Sequence, residues 1–363
     1  MASVRSAEDP EKTEGTETTE DSELFLRACR RQPVSRTPAW FMRQAGRYME
    51  EYRRLRARHS MLELCRTPEL ATEITLLPVN KLGVDAAIIF ADLLLPAQAM
   101  GMELAFVEGE GPVLSDPVRT ERAVRRLVQP CDGELDCVSD AIRAVCGALN
   151  GKVPVIGFAG APFTLASYMI EGGASRDFLH TKRMMYQQPA LWQELVDKLV
   201  AVLSDYLRSQ VAAGAAALQI FDSWVGCLSP EDYRRYALPG SRALLRNASV
   251  LGVPVIHFGT GTASLLELMR EAGGDVIGVD WRVELDDAWR RIGYDAAIQG
   301  NLDPVLLFGP KEKIRERVEQ ILRSVQGRPG HIFNLGHGVL PGTPVENVQS
   351  VVEMVHQFSA STS

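Results

Sequence analysis

Residues 191–223 read LWQELVDKLVAVLSDYLRSQVAAGAAALQIFDS and hold one complete unit of the fold. Apolar residues recur at helical spacing over 191–211. After Gly214 the pattern becomes a strand-like run, 216–221, apolar except for Gln219, that stops on Asp222 and Ser223. An amphipathic helix followed by a short, almost wholly apolar run is the mark of a strand buried on both faces, as in a parallel α/β sheet. Working outward in both directions, the same kind of run recurs at 39–42, 86–90, 153–158, 253–258, 276–279, 296–299 and 331–335, with helical spacing between them, as over 313–325. Eight such units without a break in composition predict one closed (β/α)8 barrel of the TIM type rather than two domains. Two connections, 48–83 and 100–151, are longer than ordinary loops, and both carry helical patterns.

Composition bounds the function. The chain has 363 residues, 46% hydrophobic and 23% charged, an ordinary globular balance. No apolar run reaches the roughly 20 residues of a membrane span, so no membrane role is expected. The first residues have neither the basic start and apolar core of a signal peptide nor the acid-poor character of a transit peptide, and a cytoplasmic location is the expectation. Cys29, Cys65, Cys131, Cys137, Cys146 and Cys227 are scattered with no C-x-x-C pair, which fits reduced thiols. Of the formal charge of −7, −6 falls within residues 1–23, leaving −1 for the rest. Residues 1–22 therefore read as a disordered acidic tail, and the near-neutral body gives no sign of nucleic-acid binding.

In a parallel barrel the chemistry sits where strands end. The first run passes into Met42-Arg43-Gln44-Ala45-Gly46-Arg47, the second ends at Asp92, the third leads through 157–160 to Tyr168, the fourth ends at Asp222-Ser223, and the last opens into Asn334-Leu335-Gly336-His337-Gly338. Arg43 and Arg47 flank a glycine at a strand end. Guanidinium forks bind carboxylates through paired N–H bonds, so this cluster suits a substrate with several carboxylates. Arg53, Arg54 and Arg58 read first as a solvated helix face. Asp92 emerges from an almost wholly apolar strand; without a cationic or N–H partner its pKa will rise, and its plain alternative is a cap on the next helix.

Taken together, Met42–Arg47, the Asp closing an Ile-Ile-Phe strand, residues 157–164 with Tyr168 and Glu171-Gly172-Gly173, Phe221-Asp222-Ser223-Trp224, Gln299-Gly300-Asn301-Leu302-Asp303-Pro304 and Asn334–Gly338 resemble the uroporphyrinogen decarboxylase family over about residues 23–357. The resemblance implies a single barrel catalytic domain, residues 23–363, forming a homodimer with facing clefts and needing no metal or organic cofactor. It implies removal of CO2 from the four acetate side chains of uroporphyrinogen III, an eight-carboxylate tetrapyrrole, to give coproporphyrinogen III in haem and porphyrin biosynthesis. Carried over residue by residue, it implies substrate binding by Arg43, Gln44, Ala45, Gly46, Arg47, Arg56, Phe90, Asp92, Tyr168, Ser223 and His337. Asp92, Arg43, Tyr168 and His337 are the expected catalytic group. Asp92 accepts the pyrrole N–H bonds, and Arg43 is either the proton donor or the acetate anchor. One departure stands out: relatives carry Leu-Pro where this chain has Met49-Glu50, which adds a negative charge beside the basic cluster.

Three other readings compete. Gly259-Thr260-Gly261-Thr262-Ala263-Ser264, followed by Asp280, imitates a dinucleotide fingerprint, although Ser264 replaces its third small residue. Related barrels are zinc-dependent corrinoid methyltransferases, for which Cys227 and His257 are the candidate ligands here, without the close spacing a zinc site needs. The third is a non-catalytic tetrapyrrole-binding protein, which would be expected to have lost Asp92 or Arg43.

Overall fold

The computed structural model describes residues 14–107, 109 and 111–360. Seven parallel strands form one sheet in the order β1 (Ala87–Ile88), β4 (Val155–Gly160), β5 (Ala217–Asp222), β6 (Val255–Gly259), β7 (Val276–Gly278), β8 (Ala297–Leu302) and β9 (His331–Leu335). β2 (Leu104–Val107) and β3 (Gly111–Leu114) form a separate antiparallel hairpin inside the long 100–151 connection, where only helical patterns were expected. Helices follow the barrel strands and cover the outer face; Pro189–Ala212 and Lys311–Ser324 answer the helical readings at 191–211 and 313–325.

The eighth member of the ring is not a regular strand. Residues 38–42 form one bridge, Ala39 to Phe333, and are bonded along both sides. Toward β9, Phe333 N donates to Pro38 O (2.9 Å) and Trp40 N to Phe333 O (3.3 Å). Toward β1, Asp85 N donates to Ala39 O (2.8 Å), while the Asp85 carboxylate takes the Ala39 N–H (2.7 Å). This segment thus joins the two edges of the sheet and completes the barrel, with a side chain standing in for a ladder carbonyl. Asp85 is buried and also takes Arg36 and His356, so its charge is not left unpaired.

Inside, the wall is apolar but crossed by one polar chain: Trp40 Nε1 donates to Gln299 Oε1 and Gln299 Nε2 to Gln219 Oε1, both at 3.0 Å and fully buried. Above it Phe158, Phe221 and Phe258 pack edge to face, with centroids 5.6 and 6.0 Å apart. Each such pair adds about 0.5–1.5 kcal/mol beyond its buried area and makes a rigid floor. The helix Glu14–Cys29 precedes the barrel, so residues 14–22 of the acidic stretch read as tail are its first turns. Residues 1–13 lie outside the described residues.

Candidate active site

The first loop is built around Gln44. Its side chain is fully buried, accepts from Phe41 N (3.1 Å) and donates to Ala86 O (3.0 Å), tying the closing segment to β1. The Gln44 amide is thus a strut in the wall, with both its ends used there. Arg43 is held in the left-handed region, φ 56°, which throws its side chain out of the wall as an exposed group. Ala45 and Gly46 are half-buried, and Arg47 is exposed.

The last loop is tied to the first. Asn334 Oδ1 accepts both Leu335 N (2.8 Å) and Met42 N (3.3 Å), and Val339 N donates to Met42 O (2.9 Å). The stem of Arg43 then runs across Gly338. A side chain at 338 would have to displace that stem. His337, half-buried between the two glycines, has its pKa lowered to about 4 by burial, with the Arg43 and Arg282 charges adding to the shift and Asp280 opposing it. It is therefore a neutral imidazole at neutral pH.

Asp92 lies at the end of the β1 segment, where Phe90 N has turned from the sheet to Thr75 Oγ1 (2.9 Å). One carboxylate oxygen accepts Leu94 N (2.9 Å), so the capping alternative accounts for one of its two oxygens. Burial raises its pKa, with the Leu94 bond and the charge of Arg43 pulling the other way. Tyr168, on the helix Pro162–Glu171, stacks on Trp224 at 3.7 Å between centroids and 31° between planes. Burial, then Asp92, push its phenol up to about 12 against the pull of Arg43, which keeps it a protonated donor.

Ser223 follows β5 half-buried, while its neighbour Asp222 turns into the helix layer and accepts from the hydroxyls of Thr164 (3.0 Å) and Ser241 (3.2 Å). Phe90 is half-buried and packs edge-on against Tyr52, 5.7 Å between centroids. Arg56 is half-buried and donates to His59 O, and its charge and that of Arg47 act on Tyr52. Arg53 braces the loop through Tyr48 O (2.8 Å) and Arg47 O (3.0 Å), whereas Arg54 pairs with Glu50 on the surface. The negative charge introduced by Glu50 is thus engaged with Arg54, while Met49 is fully buried.

Arg43, Asp92, Tyr168 and His337 are therefore brought together from four wall segments, and Arg43 acts electrostatically on the other three. The dinucleotide-like loop is otherwise occupied: Gly261 N donates to Asp280 Oδ2 (2.6 Å), Thr260 Oγ1 to Ser223 O, and Gly226 packs directly on Thr260 and Gly261. His257 is fully buried 3.7 Å from Asp222, and among the described residues no three His, Cys, Asp or Glu side chains gather as a metal cluster. The motifs in the sequence assign no site role to Tyr52, Trp224 or Arg282. Trp224 stood inside a quoted motif, and Arg282 beside an Asp assigned to the dinucleotide imitation.

A profile of the family described as Uroporphyrinogen decarboxylase (URO-D) matches residues 20–358. A protein of Solibacter usitatus named uroporphyrinogen decarboxylase is 57% identical over 92% of this chain and 97% of its own length. One of the same name from Carboxydothermus hydrogenoformans is 55% identical over 93% of this chain and 97% of its own. Among solved structures, a methyltransferase from Methanosarcina mazei superposes with a TM-score of 0.78 at 22% identity, covering 93% of this chain and 98% of its own, a likeness of fold.

Proposed function

The chain belongs to the uroporphyrinogen decarboxylase family and is a carboxy-lyase of that activity, and from this premise we propose how its mouth residues divide the work. For each acetate, the carboxylate leaves as CO2 and a proton takes its place, so –CH2–COO⁻ becomes –CH3. The electron pair of the breaking C–C bond needs a sink. Protonation of the adjacent pyrrole carbon makes the ring a cation that accepts the pair; the ring carbon then returns its proton as the methylene gains one.

Asp92 is the fixed anion for that cation. Its ionised form is costly where it stands, because burial outweighs Leu94 N–H and Arg43. Pyrrole N–H groups and a developing ring cation supply the partners it lacks, and the gain is largest in the transition state. Arg43 anchors the reacting acetate, since a guanidinium keeps its protons and offers a fork. Tyr168 donates from its protonated phenol, and neutral His337 orients the same rim. Arg47, Arg56, Ser223 and the backbone of Ala45 and Gly46 hold the remaining periphery, and Phe90 packs on a pyrrole face.

The observation that carries this reading is geometric: Arg43, whose stem lies on Gly338 next to His337, shares one end of the barrel with Asp92 after β1 and Tyr168 on the helix after β4. On the family resemblance, residues 23–363 form the catalytic body of a cytoplasmic homodimer that takes uroporphyrinogen III to coproporphyrinogen III without metal or organic cofactor. Anaerobic incubation of the purified protein with uroporphyrinogen tests it: CO2 and coproporphyrinogen are expected, and unchanged substrate would refute it.

A further inference from the structure

The chain leaves β7 through Asp280, Trp281 and Arg282, and of the two glycines that bracket His337 in sequence, Gly336 packs on Trp281 and Gly338 on Arg43. Asp280 is buried; its Oδ1 accepts Arg282 N (3.0 Å), and its Oδ2 takes Gly261 N and the Arg282 guanidinium, the latter at 2.5 Å. The guanidinium carbon stands 4.2 Å from the centre of the Trp281 ring. Trp281 is itself wedged against Gly336, where an added Cβ would lie 2.6 Å from its backbone N and 2.8 Å from its ring. Arg282 is thus fixed by a carboxylate on one edge and an indole on one face, yet its side chain remains 51% exposed. A guanidinium ordered in advance loses little further freedom when it takes a ligand, and its unused N–H donors match a carboxylate.

We propose that Arg282 is a substrate-binding residue of the active site that holds one of the carboxylates retained in the product, with Arg43 and Arg282 flanking His337. The proposal rests on the decarboxylase reading above. The choice of a retained carboxylate follows from charge: Asp280 already offsets much of the Arg282 charge, whereas Arg43 is in no ion pair among the described residues. A compensated guanidinium suits a group bound equally well in the ground and transition states, which sets KM rather than kcat.

The experiment is steady-state kinetics of the full chain and its Arg282→Gln variant with uroporphyrinogen. KM is expected to rise about five- to tenfold with kcat within about twofold, and inhibition by added coproporphyrinogen to weaken by a similar factor. Arg282→Lys, which keeps the charge but not the fork, should fall between the two. Unchanged KM and product inhibition, or a loss confined to kcat, would overturn the proposal. Should Arg282→Gln fail to fold because Asp280 is left unpaired, the double variant Asp280→Asn, Arg282→Gln removes that buried charge and is read in the same way. Absence of turnover by the unaltered chain would sink the decarboxylase reading and this proposal with it; turnover with unchanged KM sinks the proposal alone.

Discussion

The side chain of Arg43 lies across Gly338 so closely that a Cβ on the glycine would stand 2.5 Å from Cδ, 2.7 Å from Cγ and 3.0 Å from Cβ of the arginine. The two residues are 295 positions apart in sequence, yet each sets the space the other occupies. Gly338→Ala should therefore push the guanidinium off its line. Since no left-handed φ is required at 338, the fold should tolerate the methyl group. Turnover is expected to fall by about ten- to a hundredfold, roughly 1.4–2.7 kcal/mol of transition-state stabilisation, while Tm moves by no more than a few degrees. Normal kcat/KM in this variant would detach Arg43 from the chemistry.

Gln44 and Arg47, three residues apart, should fail in opposite ways. Gln44→Leu leaves Phe41 N–H and Ala86 C=O buried without that amide, at a cost of about 1–3 kcal/mol for each group that finds no other partner, and should appear as a lower denaturation midpoint. Arg47→Ala touches an exposed side chain and should raise KM several-fold with stability unchanged. Matched melting curves and Michaelis plots of the two variants separate wall from mouth.

His331 supplies a pH test of the barrel. It is buried, with Nε2 3.1 Å from Gly300 O, and burial lowers its pKa from 6.5 to about 4. Below pH 6.5 the unfolded chain takes up a proton that the folded chain refuses until about pH 4. Its contribution to stability is therefore complete above 6.5 and lost as pH falls through this window, by roughly 3 kcal/mol at most. His331→Gln should flatten the fall in denaturant midpoint between pH 6.5 and 4 relative to the unaltered chain; parallel curves would contradict the buried neutral imidazole.

Much of this architecture was legible in the chain, and the misses have physical causes. The run at 331–335 is a strand over its whole predicted length because every residue is buried and bonded to β8. The run at 39–42 was read as a strand of the same kind, but Asp85 takes the Ala39 N–H and Gln44 takes Ala86 O. Side chains from outside the run replace ladder partners, and apolar periodicity carries no trace of that substitution. The wall bonds of the Gln44 side chain are invisible for the same reason: a motif does not show which of its polar groups are already engaged. The hairpin of β2 and β3 left little trace because each strand is only four residues long and lies in a connection that also carries helical patterns. At Asp92 the expectation was that a cationic or N–H partner would keep the pKa from rising; the N–H of Leu94 and the charge of Arg43 are both there, yet burial outweighs them.

Asp92→Asn in the anaerobic uroporphyrinogen assay, with Tm measured at pH 7 on the same preparation, bears most directly on the central claim. Because burial raises the carboxyl pKa above 3.8, stability is lost as pH rises from there towards the folded-state value and stays lost above it, so the amide should leave Tm equal or higher. Turnover should fall by about two to four powers of ten, as roughly 3–5 kcal/mol of charge stabilisation is lost. Near-normal turnover by a folded Asp92→Asn protein would contradict the account.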